Sequence, residues 1–285
     1  MPDIIRRRTE AMTEEMGQGD GAKGEQIAAV QRALEILEAL ADAQDGMSFT
    51  DIVTLLDVNK AIAFKLINTL IGRRYVFRDE TSGRYYLTFK MSNLGLRKMS
   101  KSLLLDQSNS ILRELADATG ELIRLAVVEG DTITWVSSIL AQSRLLQLNP
   151  SYGFEVRLHL HAAGKAWLST MSSERAIGLV LKNGLEPATE HSLRTVEAIL
   201  EDLKVSAQRG YAISYEEHSL GVGAIGVPVL VRRFGEKKEC VGVITMAAPC
   251  ARMNRQALEG SAPRLLDAAA RLASIWPVGD GRTYS

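Results

Sequence analysis

The stretch VNKAIAFKLINTLIGRRYVFRDETSGRYYL, from Val58 to Leu87, decides how the N-terminal part of the chain folds. Asn59 is a good helix N-cap. Stepping ~100° per residue from there puts Ile62, Ala63, Leu66, Ile67 and Leu70 on one side of a helix that runs to about Gly72. The other side shows Lys60, Ala61, Phe64, Lys65 and Asn68. Next come Tyr75-Val76-Phe77-Arg78, the turn-forming run Asp79-Glu80-Thr81-Ser82-Gly83, and Arg84-Tyr85-Tyr86-Leu87, which together read as a β-hairpin.

Working upstream, Ser48 or Thr50 can cap a short helix carrying Ile52, Val53, Leu55 and Leu56, and Ser48 with Asp51 has capping-box spacing. Asp57-Val58 is the tight turn into the next helix. An earlier amphipathic helix is marked by Ile27, Val30, Leu34, Leu37 and Leu40 at intervals of three or four. Two short helices, a turn and a hairpin make a winged helix-turn-helix, whose second helix enters the major groove of DNA. From Asn59 to Lys101 there are ten basic residues and two acidic ones, a local net charge of +8. Over the whole chain 34 Lys and Arg balance 34 Asp and Glu, so the basic excess is confined to the segment whose pattern suits a phosphate backbone. On this surface Lys60 and Lys65 can reach phosphates or guanine edges and Asn68 an adenine edge. Phe64 suits either a thymine methyl or a place under the wing. Arg73, Arg74 and Arg84 add positive charge beside the helix.

The remainder is read from composition and local signals. At 285 residues, 46% hydrophobic and 24% charged, the chain fits two globular units, not a disordered or low-complexity one. Residues 1–24 are expected to be a flexible tail in which Arg6, Arg7 and Arg8 are solvated. Residues 25–90 form the DNA-binding domain, 91–107 a linker helix, and 108–280 a second domain. Cys240 and Cys250 have neither CxxC nor zinc-ligand spacing, which argues against a disulfide scaffold or structural zinc. Without about 18 consecutive apolar residues or a signal-peptide core, the expectation is no membrane insertion and a cytoplasmic protein.

In the second domain Leu122–Val128 and Thr132–Ser138 flank Glu129-Gly130-Asp131 as a hairpin. Thr195 to Gln208 is a helix ending before Gly210. Tyr211–Tyr215, Gly226–Val231 and Cys240–Ala247 are strand-like, and Leu258–Ile275 is helical. This irregular mixture predicts an α+β domain. Gly221, Gly223 and Gly226 spell GxGxxG, but a dinucleotide fingerprint needs a strand before it and a helix after it. His159 and His161, read as alternating on an extended segment, would face the same way with no third metal ligand nearby. His218 beside Glu216 and Glu217 has no nucleophile in a recognisable motif. The residues therefore assign no catalytic residue, metal or cofactor, and the competing reading is a small-molecule enzyme or redox protein with a basic accessory domain.

Several segments in fixed order resemble the IclR family of bacterial transcription regulators: VQRALEILEALA from Val30, VNKAIAFKLINTLIGRRYV from Val58, RYYLTFKMSNLG from Arg84, RLHLHAAGKAWL from Arg157, GYAISYEEHSLGVGAIGVPV from Gly210 and ITMAAP from Ile244. The resemblance covers roughly residues 25–275. It implies a GAF-like or profilin-like effector-binding domain with an antiparallel sheet, double-stranded operator DNA as partner, and a homodimer or homotetramer. By position, it implies an effector site lined by Leu145, Leu148, Val156, Ala162, Ala163, Ser214, Val222, Ala224, Thr245 and Ala247. The helix N-terminus at Ala162-Ala163-Gly164 would anchor a carboxylate. Alanines at 224 and 247, where small-carboxylate binders of the family carry polar residues, point to a small organic acid with an aromatic or otherwise apolar body. The chain departs from the family at Asp57, which replaces a frequent Gly, and at Asn59, Ala61, Ile62 and Lys65, so the operator sequence does not carry over.

Overall fold

A computed structural model describes residues 27–100, 103–141, 148, 156–232 and 238–277, in two compact units that divide between Lys98 and Met99. The first unit opens with α1 (Ala28–Asp42) and α2 (Phe49–Leu56). Ser48 starts α2: its hydroxyl accepts the Asp51 amide at 3.1 Å, and the Asp51 carboxylate accepts the Ser48 amide at 2.8 Å. This reciprocal box satisfies two amides that a helix start leaves without partners. Asp57 ends α2 in the left-handed region, with φ 48° and ψ 49°.

Asn59 then caps α3 (Lys60–Gly72) by accepting the Ile62 amide at 2.9 Å. The wing is β1 (Val76–Arg78) antiparallel to β2 (Tyr85–Leu87), and Met47 makes an isolated antiparallel bridge to Tyr85. Ile36, Leu37, Leu40, Ile52, Ile67 and Val76 meet in one core. That core takes one apolar edge of α1; Ile27, Val30 and Leu34, read from sequence as part of the buried stripe, are exposed on the other. Ile62 is likewise 38% exposed, because α3 packs through Ala63, Ile67 and Leu70.

The expected single linker helix is two helices: α4 (Lys90–Met99), with no buried residue, and α5 (Leu103–Thr119). In the second unit α5 leads to β3 (Leu122–Glu129) and β4 (Thr132–Ile139). Three helices follow, α6 (Ala162–Leu168), α7 (Ser173–Asn183) and α8 (Val196–Arg209). Then come β5 (Ala212–Tyr215), β6 (Val222–Arg232) and β7 (Lys238–Pro249), and finally α9 (Arg255–Gly260) and α10 (Ala262–Ile275). The strands form one antiparallel sheet in the order β4-β3-β7-β6-β5.

Alternation along the strands gives the sheet two apolar faces. Ile123, Leu125, Ile225, Val227, Ile244 and Met246 pack against α5 and α10. Ala126, Ala212 and Val243 pack with α6, α7 and α8. The fold is thus an N-terminal winged helix-turn-helix followed by an α+β domain on an antiparallel sheet. Gly223 and Gly226 lie inside β6, so the GxGxxG run has no helix after it to hold a dinucleotide. No helix among the described residues is long and apolar enough to cross a membrane.

Asp57 holds a conformation that costs an L-residue energy, and it places a carboxylate at the negative end of α2. Asp57→Gly is expected to raise unfolding stability by about 0.5–1 kcal/mol in denaturant melts of the full chain; an unchanged or lower stability would contradict this account of the turn.

Candidate functional site

The outward face of α3 is built by its cap and its buried stripe. With Ala63, Ile67 and Leu70 inward, Lys60, Ala61, Phe64, Lys65 and Asn68 are all exposed. Neither Lys60 nor Lys65 has an ion pair among the described residues. The Phe64 ring, 54% exposed, meets Phe49 of α2 edge to face at 6.3 Å between centroids, so it does not lie under the wing. Arg73 and Arg74 follow α3 and are exposed; their carbonyls accept Lys90 Nζ at 2.6 Å and the Thr88 hydroxyl at 2.6 Å. Arg84 is placed differently. Its Nε donates to the Asp45 carbonyl at 2.8 Å and its Nη2 to the Gly46 carbonyl at 2.9 Å, which pins the wing to the α1–α2 loop.

In the second unit the register of the strands assembles the other candidate site. Ser214, Ala224, Ala247 and Leu122 pair directly across four strands in one row. Two residues along, Ala212, Gly226, Thr245, Arg124 and Ser138 form a parallel row. A Cβ at Gly226 would lie 2.5 Å from the Ala162 carbonyl oxygen, so both rows face α6. Val222, Ala224 and Ala247 are half-buried, and Thr245 and Val156 are buried. Leu148 is half-buried, while Leu145 lies outside the described residues.

Two features differ from the site read from sequence. The Ser214 hydroxyl donates to the Leu160 carbonyl at 2.6 Å, so it is engaged within the fold. The α6 helix has seven residues, all buried, and β6 at Gly226 closes onto the Ala162 carbonyl and the Ala163 amide. The start of α6, and the Ala163 amide with it, thus lies close against β6. Gly164 itself meets the backbone of Leu158, where a Cβ would clash.

Around this helix lies a cluster of ionisable groups. Lys165, 1% exposed, donates to the Glu217 carboxylate and to the Ile213 carbonyl at 3.3 Å, and lies 3.1 Å from the Asp202 carboxylate. Burial raises the Glu217 carboxyl above its ordinary range despite Lys165, and the charge of Asp202 adds to the effect. The His159–His161 segment is a turn, with the Leu160 and His161 amides both donating to the Arg157 carbonyl, so the two imidazoles do not share a face. His159 is buried, whereas His161 packs on His218 at 4.0 Å between ring centroids. Burial, then His218, Arg124 and Arg157, push His161 down to about 4. His218 also lies next to the Ser219 hydroxyl at 2.9 Å; Glu217, its sequence neighbour, is taken by Lys165. Among the described residues no group of three or more His, Cys, Asp or Glu is placed to hold a metal ion.

Comparison with known proteins agrees with this architecture over nearly its whole length. The model described as the IclR helix-turn-helix domain matches residues 29–80, and that described as bacterial transcriptional regulator IclR C-terminal matches residues 97–274. The chain belongs to the IclR family. It is 25% identical over 253 residues to the Escherichia coli K12 HTH-type transcriptional repressor AllR, covering 89% of each chain. A crystal structure of an IclR-type regulator from Silicibacter superposes with a TM-score of 0.73 at 23% identity, covering 86% of this chain and 95% of that one. An IclR homologue from Microbacterium hydrocarbonoxydans, solved with 4-hydroxybenzoate, superposes with a TM-score of 0.67 at 16% identity, covering 86% and 98%. As an IclR-type protein, the chain is a DNA-binding transcriptional regulator, and the enzyme reading is not favoured. The Cys240 thiol, pushed up to about 12 by burial, is also a poor nucleophile at neutral pH.

Sequence reasoning missed Arg124 and the pairing of His161 with His218. Arg124 stands alone in charge within the two sheet rows, but only the strand register reveals which face it shares. The histidines lie 57 positions apart; in the structure His161 occupies the N-cap of α6, φ −94° and ψ 140°, without a side-chain cap.

A pH dependence follows from His161. Its folded value lies below the unfolded ~6.5, so the unfolded chain binds the extra proton between about 6.5 and 4. The stability of the neutral form is therefore complete above pH 6.5 and is lost as pH falls towards 4, on the order of 3 kcal/mol for a shift of this size. The melting temperature should fall across that window, and less steeply in His161→Asn, which keeps a cap-forming residue. Equal slopes in the two proteins would contradict the burial of a neutral imidazole.

Proposed function

We propose that this regulator binds operator DNA through the outward face of α3 and responds to a small organic acid bound on the α6 side of the sheet. The observation that carries the first part is the exposed group Lys60, Ala61, Phe64, Lys65 and Asn68, set on a helix whose other side is locked into a core. Lys60 and Lys65 neutralise phosphates or meet guanine edges, Asn68 suits an adenine edge, and Arg73 and Arg74 add contacts beside them. Arg84 acts one step back, by fixing the wing.

The second part is supported by the half-buried row of Ala224 and Ala247 with Val222, which offers an apolar surface where a polar one would suit a short acid. The Microbacterium homologue solved with 4-hydroxybenzoate favours an acid with an aromatic body. The protein acts as a homodimer or a tetramer built from dimers, because one winged helix reads few base pairs and two half-sites multiply specificity. Exposed Val30 and Leu34 on α1, with Phe89 and Leu96 beside and on α4, provide apolar area for a second copy. Such a protein works in the cytoplasm, where it meets the chromosome.

A gel shift of the purified chain on its own upstream DNA, at two salt concentrations, tests this reading. Wild type is expected to bind specifically and to weaken with salt, while Lys60→Ala with Lys65→Ala binds more weakly and lowers the salt slope by about 2. A double variant with unchanged affinity and slope would remove α3 from the interface.

A further inference from the structure

The exposed face of α3 carries one large side chain whose chemistry does not suit a phosphate. Phe64 is 54% exposed, and its neighbours on the helix surface are exposed with it: Lys60 and Asn68 four residues to either side, Ala61 three residues back, and Lys65 next in sequence. Its ring is held from behind. It meets the Phe49 ring at the start of α2 edge to face, at 6.3 Å between centroids, and Phe49 in turn meets the Tyr85 ring of β2 at 6.5 Å. Tyr85 is buried in the core of the first unit and Phe49 packs against that core, so a line of three rings runs from the interior out to the α3 face.

A single exposed apolar side chain is ordinary on a protein surface. This one is set among the cations that draw the helix to DNA, so when Lys60 and Lys65 approach phosphates the Phe64 ring loses its water as well. Against a phosphate that desolvation gains nothing, because the ring offers no hydrogen bond and strips the anion of its hydration. The apolar group that base edges present in the major groove is the C5 methyl of thymine. Burying one methyl against the ring is worth about fourfold in affinity. Ala61 extends the apolar patch with its own methyl on the same surface. The N-terminal residues of a recognition helix are those that reach base edges, and Phe64 is the fifth residue of α3.

We propose that Phe64 reads the C5 methyl of a thymine in each operator half-site, with Ala61 lining the same contact. This rests on the reading of α3 as the DNA-binding helix and makes one base of the operator specific. Lys60 and Lys65 supply affinity that is indifferent to sequence, whereas Phe64 supplies a preference: a pyrimidine without the methyl leaves the ring desolvated against no apolar partner. The edge-to-face contact with Phe49 restricts the ring before DNA arrives, so less freedom is lost on docking.

Footprinting of the full chain on its own upstream DNA defines the protected duplex. Each protected thymine is then replaced in turn by deoxyuridine, which pairs with adenine in the same way but lacks the methyl. In gel-shift titrations wild type is expected to show at least one position per half-site where the replacement weakens binding about fourfold. Phe64→Ala should bind the parent duplex more weakly and lose that penalty, taking the thymine and deoxyuridine duplexes alike. Phe64→Leu keeps an apolar side chain and should show a reduced penalty, and it decides the matter if circular dichroism shows that Phe64→Ala does not fold. Lys65→Ala is the control: it should weaken both duplexes by the same factor and keep the penalty. A penalty undiminished in the Phe64 variants, or no thymine whose methyl matters to wild type, overturns the assignment and leaves the phosphate contacts of α3 standing. Absence of specific binding by wild type overturns both.

Discussion

The sensor unit depends on how closely α6 can approach the sheet. Gly226 of β6 and Gly164 of α6 each occupy a place where one added carbon would strike backbone, the first against Ala162 and the second against Leu158. With no side chain at either position, the helix lies directly on the strand and all seven of its residues are buried. Burying Lys165 in this way requires compensation, since an unpaired ammonium inside a protein is very costly. Glu217, Asp202 and the Ile213 carbonyl provide it, drawing together α6, α8, β5 and the loop after β5. That loop carries His218 onto His161.

The DNA-binding unit follows a different logic, one of local hydrogen bonds around short elements. Ser48 and Asp51 start α2, Asp57 ends it, and Asn59 starts α3, so three polar side chains and one left-handed residue set the angle between the two helices. Arg84 fastens the wing to the loop before α2 through two carbonyls. Those contacts hold the frame from which Lys60 and Lys65 stand exposed, and we propose that this exposure serves their attraction to phosphates. The local charge of +8 in a chain of zero net charge keeps this attraction at one end of the sequence.

Elements with a local signature were legible in the sequence. The capping box at Ser48, the Asn59 cap, the hairpin around Gly130 and the helix between Thr195 and Gly210 all stand where side-chain chemistry places them. The exposure of Lys60, Lys65 and Asn68 also followed from helical stepping. What escaped was set at long range. Ile27, Val30 and Leu34 have helical spacing but lie on the edge of α1 that the core does not take. The break between α4 and α5 interrupts a segment whose helical pattern continues, and α7 was not singled out although Ser172 caps it. Arg84 carries the composition of a phosphate contact, yet its partners lie 38 and 39 positions away. The orientation of Arg124 became visible only with the register of three strands.

In the function proposed here, one chain couples an acid on its C-terminal sheet to DNA on its N-terminal helix. Linkage demands that the coupling be reciprocal: an acid that changes operator affinity by some factor has its own affinity changed by the same factor when operator is bound. The most direct test is therefore the dissociation constant of the acid measured on the free protein and on the protein saturated with operator. The account predicts two different constants whose ratio equals the ratio of operator affinities with and without the acid. Identical constants, with operator affinity indifferent to the acid, would contradict it.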